Sequence, residues 1–175
     1  MVLKVKKISE RAEIPKYAHK GDACFDLSVL IDESNVPMVY DLKKSSFKEM
    51  PRWNSFARDG HTVIMLSTGE TVMFHTGLKF ETETGYNMKV YVRSSTGMKK
   101  NLVLSNGTGV IDTAQYRGEL MITLTNIGKE MQEVIDGERV AQAEIVKTLD
   151  VEIEEVEELS DTERGEGGIG STGGH

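Results

Sequence analysis

The sequence predicts one all-β domain, a sandwich or barrel of short antiparallel strands. Several short runs alternate apolar and polar residues, clusters of Gly, Asp, Asn and Ser punctuate them, and no window sustains a long helical period. A chain of 175 residues, 38% hydrophobic and 28% charged, is long enough for one core and short for two.

The elements follow in order. Val2 to Ile8 alternates with period two and reads as a strand. Ala23 to Ile31 is a second strand, bounded by Gly21-Asp22 and by Asp32-Glu33-Ser34-Asn35. Thr62–Leu66 and Thr71–His75 read as short strands, with Ser67-Thr68-Gly69-Glu70 as the turn between them. In Asn87 to Ser94, Met88, Val90 and Val92 share one face, and Lys89, Tyr91 and Arg93 the other. Ser95 to Lys100 is the one helix candidate. Glycines at both ends of Asn106–Gly118 predict a hairpin. Leu120 to Thr125 and Val140 to Val146 alternate again.

Two stretches break the rhythm. Residues 36–61 hold the only tryptophan, Trp53, with Tyr40, Phe47 and Phe56, and read as a loop or small helical insert on the sheet. Asp150 to Glu163 is crowded with acids and reads as a solvated linker; Val151, Ile153, Val156 and Leu159 would be its anchors if it docked. The expected organisation is a β domain over 1–163 and a Gly-rich tail over 164–175, too poor in side chains to hold a core.

Composition excludes some functions. A net charge of -7 argues against general nucleic-acid binding, which needs a basic surface. A small anion stays possible, because a few arginines in a pocket outweigh distant acids. No apolar run reaches the roughly 18 residues of a membrane span. The N-terminus lacks a signal-peptide core, and Cys24 is the only cysteine. A cytoplasmic location, without membrane or nucleic-acid partners, is the expectation. Cys24 reads as a small buried residue rather than a nucleophile.

Five stretches carry chemistry. Asp26 lies inside the apolar strand of Gly21-Asp22-Ala23-Cys24-Phe25-Asp26-Leu27, where an acid needs a partner or a metal-bound water. Arg93-Ser94-Ser95 ends an alternating strand with phosphate-binding groups. Asn106-Gly107-Thr108-Gly109-Val110-Ile111-Asp112 offers a carboxylate able to take a proton from water, and Tyr116 an aromatic face for a sugar or base. Asp112 as a turn acid and Tyr116 as a sheet aromatic are the plainer alternatives. In Asp136-Gly137-Glu138-Arg139-Val140-Ala141-Gln142, Gln142 sits between small neighbours. The tail combines Arg164, closely spaced glycines, Ser171 and Thr172, a kit for wrapping phosphate oxygens, though without the lysine and helix of a Walker loop.

In this order, the five stretches resemble the five motifs of the trimeric dUTP pyrophosphatases, and they run from Tyr17 to Gly173. The resemblance implies a jelly-roll (β-clip) subunit, a homotrimer, and active sites at subunit junctions closed by a flexible C-terminal arm. It implies hydrolysis of dUTP to dUMP and pyrophosphate, with Mg2+ held by triphosphate and water rather than directly by protein. Asp26 would act on the ion through water at most. Asp112 would activate the water that attacks the α-phosphorus. Asn106, Gly109, Val110 and Ile111 would read uracil, with Tyr116 under the deoxyribose and Met121 beside the substrate. Arg93, Ser94, Ser95 and Gln142 would hold phosphates, and Arg164, Ile169, Gly170, Ser171 and Thr172 would close over them.

Three departures stand out. Three residues, Thr113, Ala114 and Gln115, separate Asp112 from Tyr116, where the family usually has two. In a strand, one extra residue reverses facing, so a bulge would have to absorb it. Ile169 stands where a uracil-stacking phenylalanine is usual, and the segment around Trp53 is additional. The insert and altered motifs resemble bacteriophage members, which would put the chain in a host cytoplasm. The rival of the same fold is dCTP deaminase, disfavoured because Thr108-Gly109-Val110-Ile111 replaces the His-Arg pair that usually precedes its Ile-Asp. The rival of another class is a regulatory module that binds a protein through residues 36–61.

Overall fold

The computed structural model describes residues 1–51 and 54–167, and among these it contains fourteen strands and one short helix. The strands are Lys4–Lys7 (β1), Phe25–Ser28 (β2), Met38–Asp41 (β3), Ser46–Glu49 (β4), Ser55–Arg58 (β5), His61–Leu66 (β6), Thr71–His75 (β7) and Leu78–Glu81 (β8). They continue with Tyr86–Val92 (β9), Leu102–Leu104 (β10), Gly109–Ile111 (β11), Met121–Asn126 (β12), Gln132–Ile135 (β13) and Arg139–Lys147 (β14); the helix is Ser94–Lys100 (α1). One sheet runs β10-β12-β7-β3-β4 and another β11-β9-β14-β2, with smaller sheets β13-β6-β5 and β1-β8. All pairings are antiparallel.

The period-two patterns decide which faces turn inward. Met88 and Val90 of β9 are buried while the alternating Lys89 and Tyr91 are not. Ile122 and Leu124 of β12 alternate in the same way, and Leu120 continues their buried face. With Phe25, Leu27, Val72, Phe74, Leu102 and Val140, these side chains form one continuous core. Each fully buried side chain of this size contributes about 1.5–3 kcal/mol.

Two expectations are corrected. Residues 36–61 are neither loop nor helical insert: they supply β3, β4 and β5. The β3–β4 hairpin pairs onto β7, and β5 pairs onto β6, so the segment extends two existing sheets. Alternation explains this, since Val39 is buried while Tyr40 meets Phe47 edge-on across the hairpin at 5.1 Å. Trp53 lies outside the described residues. The Ser67–Glu70 turn lies between β6 and β7 as expected, and it carries the chain from one sheet to another, since β6 pairs with β5 and β13, and β7 with β12 and β3. Secondly, residues 106–118 are not a hairpin. β10 lies on β12 and β11 on β9, so the Asn106 turn also crosses between sheets. Past β14, residues 148–167 form no strand or helix, and Val151, Ile153, Val156 and Leu159 are exposed.

One buried amide fixes the first crossing. The Asn126 side chain donates to the carbonyls of Leu66 (2.9 Å) and Glu130 (2.8 Å) and accepts from the Gly128 N–H (2.9 Å). Its backbone also bonds the turn, through Gly69 and Glu70.

Glu119 fixes a second junction. Its carboxylate accepts from the backbone N–H groups of Thr76 (3.1 Å) and Gly77 (2.7 Å) and pairs with His75 Nδ1 (2.9 Å). Gly77 has φ +68, and a Cβ there would lie 2.7 Å from that of Ala12, so this link between β7 and β8 requires glycine. The hydrogen bond to Glu119 raises the His75 pKa above its usual 6.5, against burial. Burial pushes Glu119 up, but bonds from His75, Gly77 and Thr76 outweigh it and hold the carboxyl below its usual 4.5.

Two measurements check these junctions. Asn126→Ala leaves its buried partners unsatisfied and is expected to cost about 2–4 kcal/mol in urea unfolding, with the m-value unchanged. The raised His75 pKa stabilises fully below 6.5, and that stabilisation is lost as pH rises through the folded value. The lowered Glu119 pKa stabilises above 4.5, and that is lost as pH falls through the folded value. The stability difference between wild type and Glu119→Gln should therefore peak between pH 4.5 and 6.5 and shrink on both sides.

Candidate active site

Two clusters of functional side chains are built on one strand. At the C-terminal end of β9 the chain leaves the sheet at Arg93 in an extended conformation (φ -73, ψ 147) and enters α1. Ser94 and Ser95 open the helix, and no side chain caps its first turn. Their hydroxyls and the first-turn N–H groups are therefore available to an acceptor from outside the chain.

The adjacent strands complete this cluster. Gln142 of β14 stands opposite Tyr91 of β9 on one side and Asp26 of β2 on the other, which puts all three on one face. Asp26 Oδ1 pairs with Arg93 Nε at 2.8 Å, and Oδ2 with Arg139 Nη1 at 3.0 Å. Arg93 also donates to the Arg139 carbonyl at 3.0 Å. Two guanidinium groups thus face a single carboxylate. The pairs orient both arginines, and Arg93 lines a cleft of about 630 Å³ with Asp22, Cys24, Asp26, Ser94, Ser95 and Gln142. The guanidinium, the two hydroxyls and the amide are groups that suit phosphate oxygens.

Cys24 is half-buried and free. Burial first, then the nearby Glu144 and Asp26 carboxylates, raise its thiol pKa, so it stays protonated and unreactive near neutral pH.

The second cluster lies along β11 and the turn after it. Gly109, Val110 and Ile111 pair with Val90, Lys89 and Met88. Among the described residues β11 is the edge of its sheet, with no strand on its other side. The Asn106 turn enters β11 at one end; exposed Asp112 leaves it at the other. The Asp112 carbonyl accepts from the N–H groups of Gln115 (2.8 Å) and Tyr116 (2.7 Å). Residues 112–116 are thus a closed turn, and strand parity does not govern where Tyr116 points. The extra residue is absorbed without a bulge. The Tyr116 ring folds back over Gly118, where a Cβ would overlap it, and its hydroxyl donates to the Glu119 carbonyl at 3.1 Å. Met121 begins β12 opposite His75, close in sequence to the same turn.

The register separates the two clusters. Ile111 lies opposite Met88, so Asp112 leaves β9 beside Asn87, six residues from Arg93. At about 3.3 Å per residue this is about 20 Å. A single copy brings Arg93, Ser94, Ser95, Gln142 and Asp26 together and holds Asp112, Tyr116 and Met121 apart from them.

Arg164 bonds locally, from its Nε to the Gly167 carbonyl at 2.8 Å. Ile169, Gly170, Ser171 and Thr172 lie outside the described residues. The sequence reading missed Arg139, Arg117 and Glu119. The spacing of Arg139 two residues from Asp136-Gly137 was a usable signal, because it starts β14 directly opposite β2.

Comparison with known proteins gives the lineage. A family model described as dUTPase matches residues 60–173. A deoxyuridine 5'-triphosphate nucleotidohydrolase of Nautilia profundicola is 38% identical over 173 residues, covering 99% of each chain. Its counterpart in Clostridioides difficile is 37% identical, over 98% of this chain and 97% of the relative. Among solved structures, a variant of the Staphylococcus bacteriophage 80alpha dUTPase with dUpNHpp superposes with TM-score 0.73 at 25% identity, covering 98% of both chains. The dUTPase of phage phi11 of S. aureus, described for its species-specific insert, shares the fold with TM-score 0.67 at 22% identity, over 93% of this chain and all of that one. A model match across most of the chain, and relatives aligned end to end at more than a third identity, make this protein a member of the dUTPase family.

Proposed function

We propose that the chain hydrolyses dUTP to dUMP and pyrophosphate, as a homotrimer whose active sites each draw on more than one copy. The observation that carries this reading is the separation of about 20 Å, set by strand geometry, between the arginine–serine cleft and Asp112. A triphosphate held at the first reaches a base at the second only when the second belongs to another copy. The names of the relatives, deoxyuridine 5'-triphosphate nucleotidohydrolases, supply the substrate.

The roles follow from chemistry. Arg93, Ser94, Ser95 and Gln142 hold phosphate oxygens and stabilise the charge that develops there. Asp112 accepts a proton from a water aimed at the α-phosphorus, and pyrophosphate leaves in line. The open edge of β11 and Asn106 offer the donor and acceptor pattern that distinguishes uracil from cytosine. Tyr116 packs under the sugar, with Met121 beside it. Arg164, Ile169, Gly170, Ser171 and Thr172 close over the phosphates and exclude water.

Magnesium is the proposed companion ion. Among the described residues, no three His, Cys, Asp or Glu side chains converge as a cation site, so phosphate oxygens and water would hold it. Asp26 fits an outer role: its arginine bonds occupy two of about four lone-pair positions, which leaves room to accept from a metal-bound water. When bound, the ion neutralises phosphate charge.

No helix among the described residues is long and apolar enough to cross a membrane, and one protonated free cysteine suits a reducing cytoplasm. A protein-contact role for the insert is a second reading, favoured by Leu42, which is 80% exposed at the tip of the β3–β4 hairpin. Under it, partner binding would survive Asp112→Asn.

Four outcomes are expected. With magnesium, pyrophosphate release should be strongly selective for dUTP over dCTP, dTTP and UTP; ammonia from dCTP would instead indicate deamination. Asp112→Asn should lower kcat by about 100-fold or more. Asp112→Asn and Arg93→Ala proteins, each inactive alone, should regain activity when unfolded and reassembled together; no recovery in mixed oligomers would refute shared sites. Truncation before Arg164 should abolish turnover and leave the oligomer folded.

A further inference from the structure

Arg117 has no role in the chemistry described so far, yet its guanidinium is the most connected group at the catalytic turn. Nη1 donates to the carbonyls of Thr113 (2.9 Å) and Tyr116 (3.0 Å), and Nη2 to that of Ala114 (3.1 Å). These three carbonyls span the lengthened Asp112–Tyr116 turn. Thr113 anchors the start of the turn: it is buried, and its hydroxyl bonds Thr82 Oγ1 at 2.7 Å. Asp112 and Tyr116 are both exposed, and the Tyr116 hydroxyl is tied to the Glu119 carbonyl at 3.1 Å.

We propose that Arg117 is a positioning residue, whose planar fork locks the Asp112–Tyr116 turn and thereby sets the aim of the Asp112 carboxylate and the selectivity of Tyr116 for deoxyribose over ribose. This rests on the roles given to Asp112 and Tyr116 above. A phosphate-binding role for Arg117 fits poorly, because both terminal nitrogens are engaged by the turn. An ion-pair role fits no better, since Glu81 stands 3.5 Å away with both side chains solvent-exposed. Lysine would not substitute: a single ammonium cannot address three carbonyls in the plane of a guanidinium.

The test uses full-length Arg117→Ala and Arg117→Lys, with Glu81→Gln to remove the Arg117 ion pair, along with the one Glu81 makes to Lys4, while leaving the guanidinium in place. Oligomer size and thermal melting establish the folded fraction. Kinetics with dUTP and UTP, and the Kd of the nonhydrolysable dUpNHpp, separate aim from affinity. For Arg117→Ala, kcat on dUTP should fall by about tenfold or more while the Kd of dUpNHpp changes by less than about threefold. The ratio of kcat/KM for dUTP over UTP should fall by about tenfold. Arg117→Lys should recover only part of this, and Glu81→Gln should match wild type. A wild-type ratio in Arg117→Ala, or a kcat loss accounted for by unfolded protein, overturns the proposal. Asp112→Asn measured alongside separates the two ideas. If it is inactive and Arg117→Ala is normal, only the role of Arg117 falls; if it is fully active, both fall.

Discussion

Strand β9 is paired along both edges, to β11 on one side and β14 on the other, and its length cannot change without breaking those ladders. Arg93 is fixed at one end of it, and Asp112 is fixed beside the other. The same ladders hold Met88 and Val90 in the core, so a slip of one residue would expose both and bury Lys89 and Tyr91. The separation of the two halves of the site is thus guarded by hydrophobic burial. Under the proposed function, self-association would follow as a geometric need of the chemistry and be no addition to a site already complete.

The electrostatics show how an acidic chain handles a polyanion. Against a net charge of -7, two arginines converge on Asp26, which holds them in place. A lone carboxylate inside an apolar strand would be costly; with two guanidinium partners it becomes a scaffold. The arginines are oriented before any ligand arrives, which is how fixed dipoles and charges help a reaction most. Glu119 has a parallel place at the other cluster, where a half-buried carboxylate gathers two backbone N–H groups and a histidine.

Local periodicity revealed β7, β9, β12 and α1 nearly to the residue, because each has a clear inward face or a clean break. Adjacency of strands was illegible. Ser67–Glu70 and the Asn106 turn have hairpin chemistry, yet both carry the chain between sheets, a choice made by distant partners such as Asn126 and β9. The segment over 36–61 was misread because four-residue strands separated by lysines and serines carry too few alternations to register. At the site, Asp26, Arg93, Ser94, Ser95 and Gln142 were named from sequence and converge. The stabilisers Arg117 and Glu119 were not, because their function lies in which carbonyls and N–H groups they reach, and only the folded turn discloses that.

The strands contributed by 36–61 have a consequence for solubility. β4 and β5 are the last strands of their sheets. At these borders Lys48 pairs with Asp41, and Arg58 grips Glu133 with both terminal nitrogens. Charged side chains along a terminal strand discourage another chain from adding to it. The segment therefore acts as a hem: it ends two sheets in groups that prefer water to a neighbouring backbone.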